Sequence, residues 1–302
     1  MLALIAPGQG SQSPGMLNTW IADPELKNLI TKFSLAIDLD LVRLGTTAET
    51  EEIKDTANAQ PLIVATSLLA AHALALENVS VTSGHSVGEL SAAAISGALS
   101  AIDSLTLVRA RGIEMAKAAA LSPTGMSAVL GGDRDDVLAA IENLGLVAAN
   151  ENGAGQIVAA GDLKALSALS EKPPAGARVR ALSVAGAFHT AYMAPALAPL
   201  NELAESLISH EAKIPFVSNK DGEVVSKGDE ILARIVNQIT SPVRWDLCME
   251  RFKSMGVTGV IELPPAGTLV GLLKRGAPEI ECFALKSAED LDAAREFAGR
   301  HA

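Results

Sequence analysis

The feature that most constrains this chain is the pentapeptide Gly84-His85-Ser86-Val87-Gly88, set between an apolar run at 79–83 and an Ala-rich stretch at 89–95. G-x-S-x-G between a strand and a helix reads as a nucleophile elbow. The glycines permit a tight turn, and the turn lifts the serine oxygen to a helix N-terminus, where backbone N–H groups stabilise an anion. The competing reading is a glycine-rich connection whose serine caps the helix. Strand-then-helix alternation extends beyond the motif: Leu2–Ala6 reads as a strand, 61–76 as a helix, 79–83 as a strand, and the stretch after Ser86 as a helix. That rhythm predicts an α/β fold, a sheet with helices on its faces.

The rhythm changes between about 126 and 182. There 127–131 reads as a strand, 133–143 as a helix, 146–149 and 156–160 as strands, 163–169 as a helix and 178–182 as a strand. The order βαββαβ is that of a ferredoxin-like unit. Breaker residues stand at both junctions, Pro123, Thr124 and Gly125 before it and Gly186 after it. The expectation is an α/β catalytic core at 1–124 and 185–302 with an inserted subdomain at 125–184. Further on, 257–263 reads as a strand, 267–274 as a helix after Pro264-Pro265, and 290–302 as a surface helix.

A chain of 302 residues suffices for one large domain or a main domain carrying a smaller one. With 49% hydrophobic but only 3% aromatic residues, its core must be built from Ala, Leu, Val and Ile. A formal net charge of −11 argues against non-specific binding to nucleic acid or an anionic membrane, which draws on Lys and Arg meeting phosphates. The apolar start lacks the basic n-region of a signal peptide and reads as a first buried strand. The stretch 62–76 is interrupted by Thr66, Ser67 and His72 and is too short to span a bilayer. A cytoplasmic protein is expected. Cys248 and Cys282 form no CxxC, and no cluster has metal-ligand spacing, so neither a disulfide framework nor a zinc site is expected.

A serine nucleophile needs a base, and histidine has the fitting intrinsic pKa. Of the five histidines, His85 sits beside Ser86 and is expected to point away from its oxygen and fix the loop. His72 lies in an apolar helix and reads as a core histidine, whereas His210 and His301 lie among polar residues and read as exposed. His189, where the chain enters a constrained loop after 184–188, is the best candidate, with a loop histidine of no chemical part as the alternative. No acid stands out as a third member, and a backbone carbonyl is the alternative means of orienting the imidazole. The loop Pro7-Gly8-Gln9-Gly10-Ser11-Gln12 lacks the G-K-[ST] ending of a phosphate loop. Its ordinary reading is a turn that ends the first strand; the alternative is a loop that brings a backbone N–H beside the elbow, completing an oxyanion hole with the N–H of Val87. Arg109 and Arg111 lie on the next helix, where surface solvation or ion pairing is the ordinary reading.

Gly8-Gln9-Gly10-Ser11-Gln12, Gly84-His85-Ser86-Val87-Gly88-Glu89, Arg111-Gly112, Gly125-Met126, Gly186-Ala187-Phe188-His189 and Pro242-Val243-Arg244-Trp245 occur in one order and spacing along nearly the whole chain. In this the sequence resembles the malonyl-CoA:acyl carrier protein transacylases. The resemblance implies a hydrolase-like α/β core with a ferredoxin-like insert. It also implies a Ser86–His189 dyad, Arg111 pairing with the free malonyl carboxylate, and an oxyanion hole from the N–H groups of Gln9 and Val87. By the same resemblance the main-chain carbonyl of Arg244 orients the imidazole, and Phe188 fills the space an α-methyl branch needs. The implied reaction is ping-pong transfer from malonyl-CoA to an acyl carrier protein, without metal or redox cofactor.

Two departures are visible: Arg244 where many relatives carry glutamine, and Glu262-Leu263-Pro264-Pro265-Ala266-Gly267 where many carry a Gly-Pro-Gly turn. An esterase or thioesterase on the same elbow is the rival, against which stand the missing HGGG segment and the missing acid. A scaffold that only binds a carrier is opposed by the retention of Ser86 and His189. An acyltransferase of polyketide synthesis would use the same dyad and arginine and stays open. Carrier proteins are generally acidic in this family, and this chain is acidic too. Docking is therefore expected at local positive charge, with Lys274 and Arg275, or Arg178 and Arg180, as candidates.

Overall fold

The computed structural model describes residues 1–302 as a mixed α/β fold with two sheets. The first sheet is built from β1 (Leu2–Ala6), β2 (Val81–Gly84), β7 (Phe216–Val217), β8 (Val224–Val225), β10 (Gly259–Glu262) and β11 (Glu281–Ala284). Their spatial order is β11-β10-β1-β2-β7-β8, parallel throughout except for the β7–β8 hairpin pair. Central parallel strands are covered on both faces, which is why β1 reads as an unbroken apolar run and is buried at every position. The register sets Ile5 beside both Ser83 and Glu262, and Ser83 beside Val217. The loops bearing Gln9, Ser86, Asn219 and Gly267 therefore leave one common carboxyl edge, where ligands of open α/β sheets bind.

The second sheet contains β3 (Thr124–Gly131), β4 (Val147–Gly153), β5 (Gln156–Asp162), β6 (Ala177–Ala181) and β9 (Val243–Arg244), in the order β6-β3-β5-β4-β9. The first four pair antiparallel, with helices Arg134–Asn143 and Leu163–Glu171 in their connections. Asp133 and Asp162 cap those helices, each accepting two backbone N–H bonds. β9 arrives from a distant part of the chain and pairs parallel with β4, so the sheet is extended by a strand absent from the expected order.

Several elements differ from expectation. The first long helix spans Thr56–Leu74 and so begins before Pro61, Asp55 capping it through the Ala57 N–H. The C-terminal helix, Leu291–Arg300, is less exposed than expected and buries Ala294, Phe297 and Ala298. The helix Pro24–Ala36, two short helices between it and residue 56, and the helices Leu197–Glu205, Gly228–Asn237 and Trp245–Ser254 pack around these elements. No helix is long and apolar enough to cross a membrane.

The helix Ala101–Ala119 packs on Thr56–Leu74, and one glycine makes this close approach workable. A Cβ on Gly112 would sit 2.8 Å from the Thr56 carbonyl oxygen and 3.1 Å from the Ala57 Cα. That contact sets Arg111, the preceding residue, beside Gln60 of the neighbouring helix.

Candidate active site

The elbow folds as its glycines demand. A Cβ on Gly84 would collide with the Gly88 backbone, and one on Gly88 with the Ala6 carbonyl. Between them Ser86 takes φ 53°, a left-handed conformation unusual for a residue with a side chain. The strained turn is held from outside: the Ser86 N–H donates to Asn219 Oδ1 at 2.8 Å, and Asn219 Nδ2 donates to the Gly84 carbonyl at 2.7 Å. The elbow helix, Gly88–Ile95, follows directly. The N–H groups of Val87 and Gln9 donate to no group of the protein. Gln9 lines the cleft that also holds Ser86 and His189.

Ser86 Oγ lies 2.7 Å from His189 Nε2. The other ring nitrogen, Nδ1, lies 2.9 Å from the Gln238 carbonyl oxygen. A carbonyl only accepts, so Nδ1 carries the proton and Nε2 faces the serine as an acceptor. His189 also has a left-handed backbone, φ 62°, fixed by the Thr190 hydroxyl bond to the Ala187 carbonyl and the Ala187 N–H bond to Thr124 Oγ1. Burial, and secondly the nearby charge of Arg111, push its pKa down to about 3, so the imidazole is neutral at physiological pH.

The expected orienting carbonyl was that of Arg244, and the structure corrects this to Gln238. Gln238 follows the last turn of Gly228–Asn237, where helix-end carbonyls lack α-helical partners; its carbonyl takes the Ser241 N–H at 3.0 Å and has a second lone pair for the imidazole. Arg244 is a strand residue paired in register with Glu151 of β4. Its own contribution is an N–H bond to the Asn219 carbonyl at 2.8 Å, and its guanidinium bonds Asp246.

Arg111 is not the surface arginine that its helix suggested: it is only 2% exposed. Its Nη1 donates to Gln60 Oε1 at 2.7 Å and its Nη2 to Gln238 Oε1 at 2.9 Å, while its Nε finds no partner. A guanidinium has five N–H donors, so most of its capacity is unused. Arg111 does not itself line the cleft, whereas Gln60 does. Arg109 sits outside this group and donates to the Ala57 carbonyl. Phe188 is buried and lines the cleft beside Met115, Met126 and Val158.

His85 turns away from the serine oxygen. Its Nε2 meets Asn152 Oδ1 of β4 at 2.8 Å, and its ring stands edge-on to Trp245 at 5.8 Å. It thus ties the elbow to the second sheet. A Cβ on Gly8 would come within 2.9 Å of the His85 ring, so glycine lets the Gln9 loop lie against it. His72 is exposed at the end of its helix, contrary to expectation. His301 is buried, its ring 4.5 Å from that of Phe297 and over Gly259, where a side chain would collide with it. His210 is exposed as expected.

Four residues of the network had no sequence signal of their own: Gln60, Asn219, Gln238 and, in its role, Glu89. Glu89 Oε1 accepts from the Asn219 N–H at 2.5 Å and Oε2 from Gln238 Nε2 at 2.6 Å. Burial pushes its carboxyl up to about 8, opposed by the Asn219 N–H and the charges of Arg111 and Arg234. Their only hint in the sequence is position, at the ends of strands and helices that converge on the elbow.

Comparison with known proteins identifies the family. The acyl transferase domain family model matches residues 4–295. The malonyl CoA-acyl carrier protein transacylase of Mycobacterium tuberculosis is 53% identical over 297 residues, covering 97% of this chain and 98% of that protein. The crystal structure of MCAT from Mycobacterium tuberculosis superposes with a TM-score of 0.94 at 52% identity, covering 97% of this chain and 99% of that one. A malonyl-transacylase in complex with a type II PKS acyl-carrier protein superposes at 0.92 with 28% identity, covering 98% and 99%. The chain belongs to the acyl transferase family, among the malonyl CoA-acyl carrier protein transacylases.

Proposed function

We propose that this protein transfers a malonyl group from coenzyme A to the phosphopantetheine thiol of an acyl carrier protein, for fatty acid synthesis, through an ester on Ser86. The observation that carries the reading is the 2.7 Å contact between Ser86 Oγ and the unprotonated His189 Nε2, at a cleft backed by a buried arginine with donors to spare. His189 takes the Ser86 proton as Oγ attacks the thioester carbonyl. The unpaired N–H groups of Gln9 and Val87 receive the developing oxyanion. Collapse breaks the C–S bond, and the proton on His189 passes to the departing thiolate. The carrier thiol then gives its proton to His189 and attacks the ester carbonyl; the bond between that carbon and Ser86 Oγ breaks, and the proton on His189 returns to Oγ. Every proton and bond balances among these groups, so the reaction calls for no metal or redox cofactor.

Arg111 meets the malonyl carboxylate in this reading. A carboxylate that displaces the Gln60 oxygen exchanges a neutral acceptor for a charged one, and the bond strengthens accordingly. Phe188 restricts room at the α-carbon. The strand order β6-β3-β5-β4 with its two helices supports a ferredoxin-like subdomain at 125–184 in a hydrolase-like core formed by 1–124 and 185–302. A cytoplasmic location follows from the pathway.

Incubation with radiolabelled malonyl-CoA and peptide mapping tests the assignment. Label is expected on the Ser86 peptide, transferable to a carrier protein and absent in folded Ser86→Ala. Release of free malonate without transfer would favour hydrolysis, and label retained by Ser86→Ala would sink the nucleophile.

A further inference from the structure

Glu89 has no task in the reaction as written, yet it lies on the first turn of the elbow helix, 1% exposed, with both carboxylate oxygens engaged. Its position gives the Gln238 side chain a direction. An amide has an oxygen that accepts and a nitrogen that donates, and Gln238 lies between two groups of opposite kind. Both oxygens of Glu89 accept here, one from the Asn219 N–H and one from Gln238 Nε2, and Arg111 only donates. One orientation satisfies both: Nε2 to Glu89 at 2.6 Å and Oε1 to Arg111 at 2.9 Å. Reversed, the amide would set its NH2 against the guanidinium, which has only donors to offer.

A second arm leaves the other oxygen. Glu89 Oε1 holds the Asn219 N–H, and Asn219 Oδ1 accepts both the Ser86 N–H at 2.8 Å and Gln238 Nε2 at 3.3 Å. The backbone of Gln238 in turn bears the carbonyl that fixes the His189 tautomer. One carboxylate thus stands behind the nucleophile's turn, the base's carbonyl and the arginine's seat.

We propose that Glu89 is a positioning residue that fixes the polarity of the Gln238 amide and thereby presents Arg111 to the substrate carboxylate. The inference rests on the malonyl reading above. An Arg111 without an oriented acceptor at Nη2 would turn toward other partners, and recognition of a dicarboxylic acyl group would suffer more than that of acetyl, which has no distal carboxylate.

The test is Glu89→Gln, which keeps size and shape but puts an NH2 where an oxygen accepted. If the oxygen of the new amide stays on the Asn219 N–H, its NH2 faces the Gln238 NH2, and relief requires Gln238 to reverse against Arg111. The specificity constants for Ser86 acylation by malonyl-CoA and acetyl-CoA are measured on folded protein, with wild type alongside. The malonyl-to-acetyl ratio is expected to fall about tenfold to a hundredfold, the weight of a hydrogen bond to a charged group. A ratio equal to wild type, with both rates reduced together or neither, overturns the proposal and leaves Glu89 a packing residue. Should Glu89→Gln not fold, Gln238→Leu carries the same test, since the influence passes through that amide. There too an unchanged ratio overturns it. A wild type with no preference for malonyl-CoA would remove the malonyl reading itself, a failure distinct from a preference that survives the substitution.

Discussion

Two helices begin at the carboxyl edge of the same parallel sheet and face the same cleft, and they are treated in opposite ways. The elbow helix, Gly88–Ile95, follows β2, and the Val87 N–H beside its start has no partner in the protein. The helix Thr268–Gly276 follows β10, and its first N–H groups are already taken. The buried carboxylate of Glu262 accepts from Gly267 at 2.8 Å, Leu269 at 3.0 Å and Val270 at 2.8 Å. Both helices direct the positive ends of their dipoles toward the cleft, where Thr268, Leu269 and Leu272 of the second also lie. Only the first leaves a donor free there, the Val87 N–H; its Gly88 and Glu89 N–H groups turn back to the His85 and Ser86 carbonyls. A helix N-terminus attracts an anion, but a side-chain carboxylate that arrives first ends its use for chemistry. An oxyanion therefore has one place to form, over Ser86.

The proposed reaction keeps two anions apart, the oxyanion at the open N–H groups and the distal carboxylate at Arg111. Arg111→Ala should split them most widely. Losing a buried charge-assisted pair costs about 3 to 5 kcal/mol, or roughly two to three and a half decades in specificity. Malonyl transfer should drop by that factor relative to acetyl transfer, with the oxyanion donors untouched. The same variant changes the pH profile. The imidazole works as a base only when neutral, hence above its pKa, and Arg111 is one of the groups holding that pKa down to about 3. Without the arginine the pKa rises, so the acid limb of acetyl-CoA acylation should move to higher pH. A limb that stays in place, with an unmoved acyl ratio, would make Arg111 structural.

The second helix end sharpens the contrast through stability. Glu262→Ala leaves three backbone N–H groups without their acceptor and a void in the core. The expected loss is roughly 2 to 4 kcal/mol, read from the urea midpoint, from unmade buried hydrogen bonds and the cavity. Acylation per folded molecule should stay within about threefold of wild type. Acylation that collapsed while stability held would mean that the two helix ends share one function.

What could be read from the sequence is what local physics dictates. Gly84 and Gly88 announce a turn that tolerates no side chains, and the apolar run of β1 announces a strand covered on both faces. The alternation between 124 and 181 appears in the strands β3 to β6. The supporting network was invisible because its members are joined only by folding. Glu89 meets Gln238 across 149 residues, and Asn219 meets Ser86 across 133. The misassigned Arg244 carbonyl shows the same limit: the motif lay six positions beyond Gln238, whose carbonyl takes both the Ser241 N–H and the imidazole. His72 and His301 were exchanged in burial because burial depends on which turn of a helix reaches the surface and on a glycine, Gly259, far along the chain.

The smallest expected effect concerns the partner and tests whether the cleft's rim, rather than its floor, selects the acyl carrier. The net charge is −11, so attraction of an acidic carrier must be local. Both candidate pairs are exposed and lie outside the cleft lining: Lys274 and Arg275 share a helix with the cleft residue Leu272, and Arg178 and Arg180 lie on β6, which leads to the cleft residue Leu182. Exposed charges are screened within a Debye length of about 8 to 10 Å at physiological salt. Steering by such patches appears in the encounter rate and fades as salt rises. The Michaelis constant for the carrier should therefore rise about three- to tenfold between low and high salt, and that for malonyl-CoA by less. Arg178→Glu with Arg180→Glu should reproduce the high-salt value at low salt if β6 forms the contact; if only Lys274→Glu with Arg275→Glu does so, the contact belongs to the helix whose N-terminus Glu262 has closed. Equal salt responses for both substrates would remove charge from the account of docking and leave shape at the cleft mouth as the selector.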